Sequence, residues 1–181
     1  MKLYLGPAMP PIHPQHFEVM GNVEEWTLVD KYVHFPGYKD WDAETLDEVE
    51  DESVDHIYNS HLLEHIPHVR TKMVLKKWYS KLKPGGRLTI NVPDLEWLCR
   101  QLLRLISGGI IDSKHYLTFD GERGLVVGFY GSQSHDGEYH KAGFTQEYLH
   151  RILVETGFSS VNVKKVFEAH DMGCLIAEVI K

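Results

Sequence analysis

The residues best suited to chemistry in this 181-residue chain gather in two places. The first is His61-Leu62-Leu63-Glu64-His65, with His68 close behind. The second is FYGSQSHDGEYHKAGF, which carries Tyr130, His135, Tyr139 and His140. Histidine titrates nearest to neutral pH and serves both as general base and as metal ligand. The pattern H-x-x-E-H is also the inverted zinc-protease motif. On a helix, His61 and His65 would share a face and hold Zn²⁺, with Glu64 as general base of a hydrolase. Against that, no downstream acidic helix has clear ligand spacing, and Pro67 follows at once. Twelve histidines are many for this length. His13, His16, His61, His65, His68, His135 and His140 are candidates to converge on one cleft. The simpler alternative is that Glu64 and His65 bond to each other and to nearby backbone. No metal ligand set is assigned from the sequence.

The elements that must position these groups are legible in the hydrophobic pattern. Val54–Tyr58 is a short apolar run with β-branched residues, which predicts a buried strand; Asn59 and Ser60 break it. Between Val69 and Leu82, the spacing of Val74, Leu75, Trp78, Tyr79 and Leu82 predicts a helix. Lys83-Pro84-Gly85-Gly86 stops it. Leu88, Ile90 and Val92 then alternate as in a strand. Strand, helix and strand make a βαβ unit, hence a parallel sheet with a right-handed crossover. Upstream, Lys2–Leu5 is a first strand running into Gly6-Pro7-Ala8-Met9-Pro10-Pro11, and His13–Met20 fits a short helix. Thr27–Asp30 is a second strand ending in an acid. In dinucleotide-type folds a carboxylate there accepts hydrogen bonds from a ribose diol, which makes Asp30 a candidate. Asp40 and Asp42 follow the Pro36-Gly37 turn, and Asp47–Glu52 reads as a solvated acidic connector. Downstream, Asp94 caps a helix whose stripe is Leu95, Leu98, Cys99, Leu102, Leu103 and Ile106. Ile110–Gly143 is irregular, the mark of a functional or mobile segment. A helix over Thr145–Thr156, bounded by Thr145 and Gly157, precedes strands at Val161–Phe167 and Cys174–Ile180, joined through His170-Asp171-Met172-Gly173.

The pieces SHLLEHI and LKPGGRLTINVPD, at this spacing, resemble the fourth strand, fourth helix and fifth strand of class I S-adenosylmethionine-dependent methyltransferases. The likeness is greatest to the small bacterial "type 11" branch. It rests on Asp55, Ile57, Leu63, Glu64, His65 and Ile66, then on Leu82 to Leu88. The resemblance implies an α/β fold with a doubly wound, seven-stranded, mostly parallel sheet whose last strand is antiparallel. It implies a single domain over residues 1–181, with a substrate-covering insertion at about 107–144. The implied cofactor is S-adenosylmethionine, and the implied reaction is methyl transfer to a small-molecule acceptor.

Carried onto this chain, the family pattern puts Gly6, Pro7 and Ala8 in the loop along the cofactor's amino-acid part. Asp30 falls at the ribose, and Asp42 with Ala43 at the adenine, with Asp40 as a rival one pleat away. Asn59, Ser60 and His61 lie beside the cofactor. Tyr130, His135 and Tyr139 line the substrate pocket. His140 is the candidate base, with His61 second. The chain departs from the family at the first loop, where three spaced glycines are usual. Here Gly6 stands among Pro7, Pro10 and Pro11, which stiffen the loop. A methyltransferase-like binding protein without catalysis is the competing expectation.

Composition narrows the field further. Apolar residues make up 43% and charged residues 25%, as in a soluble globular protein. A formal net charge of −7 argues against non-specific nucleic-acid binding, which needs clustered Lys and Arg. Cys99 and Cys174 fall in apolar patterns and read as buried free thiols of a reducing compartment. No apolar run is long enough to span a membrane, and the N-terminus lacks a signal-peptide pattern, so a cytoplasmic location is expected.

Overall fold

The computed structural model describes residues 1–8, 19–110, 121–167 and 173–181. Among these residues a six-stranded sheet is formed by β1 (Lys2–Leu5), β2 (Trp26–Val29), β3 (Val54–Ser60), β4 (Leu82–Pro93), β5 (Ser159–Phe167) and β6 (Gly173–Ile180), in the order β2-β1-β3-β4-β6-β5. Strands β2, β1, β3 and β4 are mutually parallel, and β6 runs antiparallel between β4 and β5. Helices α1 (His68–Lys81), α2 (Leu95–Ile106), α3 (Gly121–Tyr130) and α4 (Gln146–Thr156) flank it. This is the doubly wound α/β fold with an antiparallel last strand.

The seventh strand is reduced to a single parallel bridge between Val29 and Lys39. The Lys39 N–H donates to Leu28 O at 2.7 Å and the Asp30 N–H to Lys39 O at 3.0 Å. Pairing stops there because Asp42 turns the chain: its backbone carbonyl accepts from the N–H groups of Thr45 and Leu46.

The strand period decides which residues meet which helices. Leu3, Leu5, Ile57, Leu88 and Ile90 face Val74, Leu75 and Trp78 of α1 and Leu149, Ile152 and Leu153 of α4 in one core. Tyr4, Trp26 and Tyr58 form a second cluster with Met20, as alternation requires. Full burial stabilises each such large apolar side chain by roughly 1.5–3 kcal/mol, and Trp78 has no solvent exposure at all. The Lys83–Gly86 turn sits inside β4 as a wide bulge: one residue of β3 separates Val54 from His56, while four of β4 separate their partners Leu82 and Arg87. A Cβ on Gly86 would stand 2.9 Å from Lys83 O and 3.1 Å from Val54 O.

Four expectations change. Asn59 and Ser60 do not break the strand after Tyr58: β3 runs through both, paired with Ile90 and Asn91 of β4. The α2 stripe is only partly covered, with Trp97 and Leu98 packed on Leu125 of α3 while Cys99, Leu103 and Ile106 are exposed. The segment read as irregular contains α3, which that packing stabilises. The strand expected to end at Asp30 ends one residue earlier, at Val29. Most of the expected His13–Met20 helix, with His13 and His16, lies outside the described residues, as do part of the 107–144 insertion and the turn at His170-Asp171-Met172.

Candidate active site

A cavity opens at the carboxyl ends of β1, β2 and β3, where ligands sit in sheets of this kind. Its lining includes Gly6, Asp30, Asp42, Ala43, His61 and His135. The volume is about 110 Å³, below the roughly 300 Å³ at which small-molecule pockets begin. Two contacts narrow it. Lys31 Nζ reaches Asp42 Oδ2 at 3.0 Å, and the rings of Tyr32 and His135 lie 5.7 Å apart, drawing the insertion over the β2 loop.

Each wall has a local cause. Gly6 holds a left-handed φ of +67°, and its N–H donates to Val29 O at 2.9 Å. A Cβ there would meet Leu62 Cδ1 at 3.0 Å, so this one glycine provides the close backbone approach that the first loop needs. Asp30 Oδ1 accepts from the N–H groups of Tyr32 and Val33, at 2.9 and 3.0 Å, which leaves its other oxygen for a ligand. Asp42 Oδ1 accepts from Glu44 N–H at 2.8 Å, closing the turn that carries Ala43. The buried Trp78 indole then donates to Ala43 O at 2.7 Å and fixes that turn on α1. Burial lowers the Lys31 ammonium, but the hydrogen bond and charge of Asp42 outweigh it and hold the group above its usual range.

After β3 the chain reverses at His61, which has a left-handed φ of +53°. Leu63–His65 is a single 3-10 turn, so the helix required by the inverted zinc motif does not form. His61 instead bonds Glu64: its Nδ1 lies 3.1 Å from Glu64 Oε1. Since the carboxylate only accepts, Nδ1 carries the proton, and in the neutral ring Nε2 carries the lone pair. Burial works to raise the Glu64 carboxyl, but the His61 hydrogen bond and the charges of His61, His65 and His140 prevail and depress it.

The candidates divide cleanly by position. Gly6, Ala8, Asp30, Asp42, Ala43, His61 and His135 share the cavity. Pro7 is buried outside the lining. Asn59 and Ser60 are buried within β3, where Asn59 Nδ2 reaches Thr89 O at 3.5 Å and Ser60 Oγ accepts from Asn91 Nδ2 at 3.3 Å. Tyr130 and Tyr139 are exposed away from the lining. Asp40 is exposed beside His34. His140 lies in a second, smaller cavity with Glu64, Leu98 and Phe144. His65, a candidate to share a cleft with His61 and His135, also lines the main cavity, as do Lys31, Tyr32, Glu138 and Lys141, which no sequence signal singles out. Tyr32 and His135 are a hundred positions apart, and no local pattern announces such a contact.

A family model described as a methyltransferase domain matches residues 16–163. No curated protein matches the chain. Solved structures similar in fold include a Mesorhizobium loti S-adenosylmethionine-dependent methyltransferase, at TM-score 0.61 and 14% identity over 99% of this chain and 90% of that one. An Archaeoglobus fulgidus methyltransferase follows at 0.59 and 17%, over 99% and 85%. The Burkholderia thailandensis 1,6-didemethyltoxoflavin-N1-methyltransferase, solved with 1,6-didemethyltoxoflavin and S-adenosylhomocysteine bound, scores 0.60 at 16% identity, over 99% and 70%. On the match across most of its length, the chain belongs to the methyltransferase-domain family, of the class I S-adenosylmethionine-dependent kind.

Proposed function

We propose that this chain transfers a methyl group from S-adenosylmethionine, held in the cavity above β1–β3, to a small-molecule acceptor. The carrying observation is that Gly6, Asp30, Asp42 and Ala43, far apart in sequence, line one cavity at the strand ends. The donor set suits the cofactor. Gly6 offers backbone approach, Asp30 an uncommitted oxygen for the ribose hydroxyls, and the Asp42–Ala43 turn a carboxylate and an N–H for the adenine. Seating it requires Lys31 to release Asp42 and the Tyr32–His135 contact to part.

The bound cofactor supplies an activated methyl group on a sulfonium. The protein's contribution is alignment and exclusion of water. His61 Nε2 takes the acceptor's proton as the new bond forms, and Glu64 holds the ring in the required tautomer and stabilises the imidazolium. His61 takes precedence over His140 as base because it lines the main cavity. A small acceptor fits a space closed over by His135, Gly137 and Glu138, and the similar Burkholderia enzyme was solved with a small heterocycle bound. The net charge of −7 disfavours a polyanionic acceptor. Two cysteines outside any disulfide, Cys99 exposed and Cys174 buried, suit a reducing compartment such as the cytoplasm.

Calorimetric titration with S-adenosylhomocysteine tests the cofactor, and a panel of small acceptors tests turnover. Micromolar binding is expected, with His61→Gln lowering turnover but not cofactor affinity. Absence of binding at millimolar cofactor overturns the enzyme reading and favours a binding protein.

A further inference from the structure

Behind the main cavity stands a second constellation, which shares Glu64 with the proposed base and adds two histidines that methyl transfer does not use. Among the described residues, Glu64, His65 and His140 each place one ligand atom within 4.8 Å of those of the other two. Glu64 is almost wholly buried, at 1% exposure. Its Oε1 is taken by His61, while Oε2 is buried and accepts no hydrogen bond from any described residue. A buried carboxylate oxygen without a donor is costly, and sites of this kind call for a cation.

The histidines are set to be ligands. His65 Nδ1 lies 3.1 Å from Tyr139 O, and His140 Nδ1 lies 2.9 Å from Gly128 O. A carbonyl only accepts, so each Nδ1 carries the proton and each Nε2 presents its lone pair. Metal-bound imidazoles take this arrangement, with an outer carbonyl fixing tautomer and ring plane. The rings stand 4.8 Å apart and tilted by 71°, so they do not stack face to face.

We propose that Glu64 Oε2, His65 Nε2 and His140 Nε2 form a binding site for one late first-row divalent cation, with Zn²⁺ the natural probe. Two imidazoles and one carboxylate suit such ions, and hard cations such as Mg²⁺ prefer all-oxygen sets. Ligand atoms around tetrahedral zinc lie roughly 3.4 Å apart, so the triad, now within 4.8 Å, closes by at most about 1.4 Å on binding. The ion would clip the insertion to the Leu63–His65 turn, where the N–H groups of Lys141 and Ala142 already donate to Glu64 O at 2.7 and 3.0 Å. His65 also lines the main cavity, so the ion's remaining coordination positions lie next to the acceptor space.

The test is titration of metal-free protein with Zn²⁺, without cofactor. One equivalent should bind, raising the thermal midpoint. Glu64→Gln and His140→Ala should weaken it by about 100-fold or more, since even outer partners cost 10–100-fold. His150→Asn, at an exposed position of α4, should leave it unchanged. With Co²⁺, His140→Cys should show thiolate-to-cobalt charge-transfer absorption, a readout that stands even where the other variants fail to fold. Asp42→Asn should keep its zinc affinity, which separates this site from the cofactor reading. No zinc binding by the folded wild-type chain, equal affinity in His140→Ala and His150→Asn, or no charge-transfer band in a folded His140→Cys protein overturns the proposal.

Discussion

Asp42→Asn is the sharpest probe of the cavity. The carboxylate holds three jobs: Oδ1 accepts from Glu44 N–H at 2.8 Å, Oδ2 pairs with Lys31 at 3.0 Å, and the group faces the space assigned to the adenine. Asparagine keeps the volume and the Oδ1 bond, so the turn should survive. It removes the charge and presents an N–H₂ where an adenine amino group needs an acceptor. A hydrogen bond to a charged group contributes about 1.5–3 kcal/mol. Losing it corresponds to a roughly 10–150-fold rise in Kd. The Lys31–Asp42 pair itself is half-exposed and adds at most about 1 kcal/mol to stability. Calorimetry with S-adenosylhomocysteine reads the effect, and a thermal midpoint within a few degrees of wild type confirms the fold. Lys31→Met is the counterpart: it frees Asp42 and should leave affinity equal or higher. Unchanged binding in Asp42→Asn together with weakened binding in Lys31→Met would refute the reasoning, because the lysine would then be the cofactor's contact.

Trp78→Phe keeps the ring in the core but strands Ala43 O, which the indole N–H satisfies at 2.7 Å. Urea unfolding should show a loss of about 1–3 kcal/mol, and S-adenosylhomocysteine affinity should fall several-fold; lost stability with unchanged affinity would separate that anchor from the site. His56 gives a pH signature. Burial first, then the charges of Arg87 and Lys2, push its imidazole from 6.5 down to about 4. The unfolded chain therefore takes up a proton first, so stability is complete above about pH 6.5 and declines as pH falls towards 4. That gap is worth about 3 kcal/mol. In urea midpoints at pH 7.5 and 5, His56→Gln should lose less stability than wild type, and equal losses would remove His56 as the cause.

Sequence alone determined most of the elements, because their signals are local. Period-two alternation in Leu88, Ile90 and Val92, and helical spacing in Val74, Leu75 and Trp78, depend on residues a few positions apart. The LEHI and LKPGG pieces carried the family because a βαβ unit confines both to one spacing. Asp30 and Asp42 were legible for the same reason, as acids just past strand positions. Tertiary structure decided what converges. The path after His61 made Leu63–His65 a 3-10 turn instead of a helix, which sent His61 and His65 to different partners. Packing of α3 on α2 and the tie from Glu64 O to Lys141 and Ala142 set His140 behind the main cavity and turned Tyr130 outward. Such placements depend on chain segments some 75 residues apart closing on one another, a balance of burial against loop entropy that no short window of sequence contains.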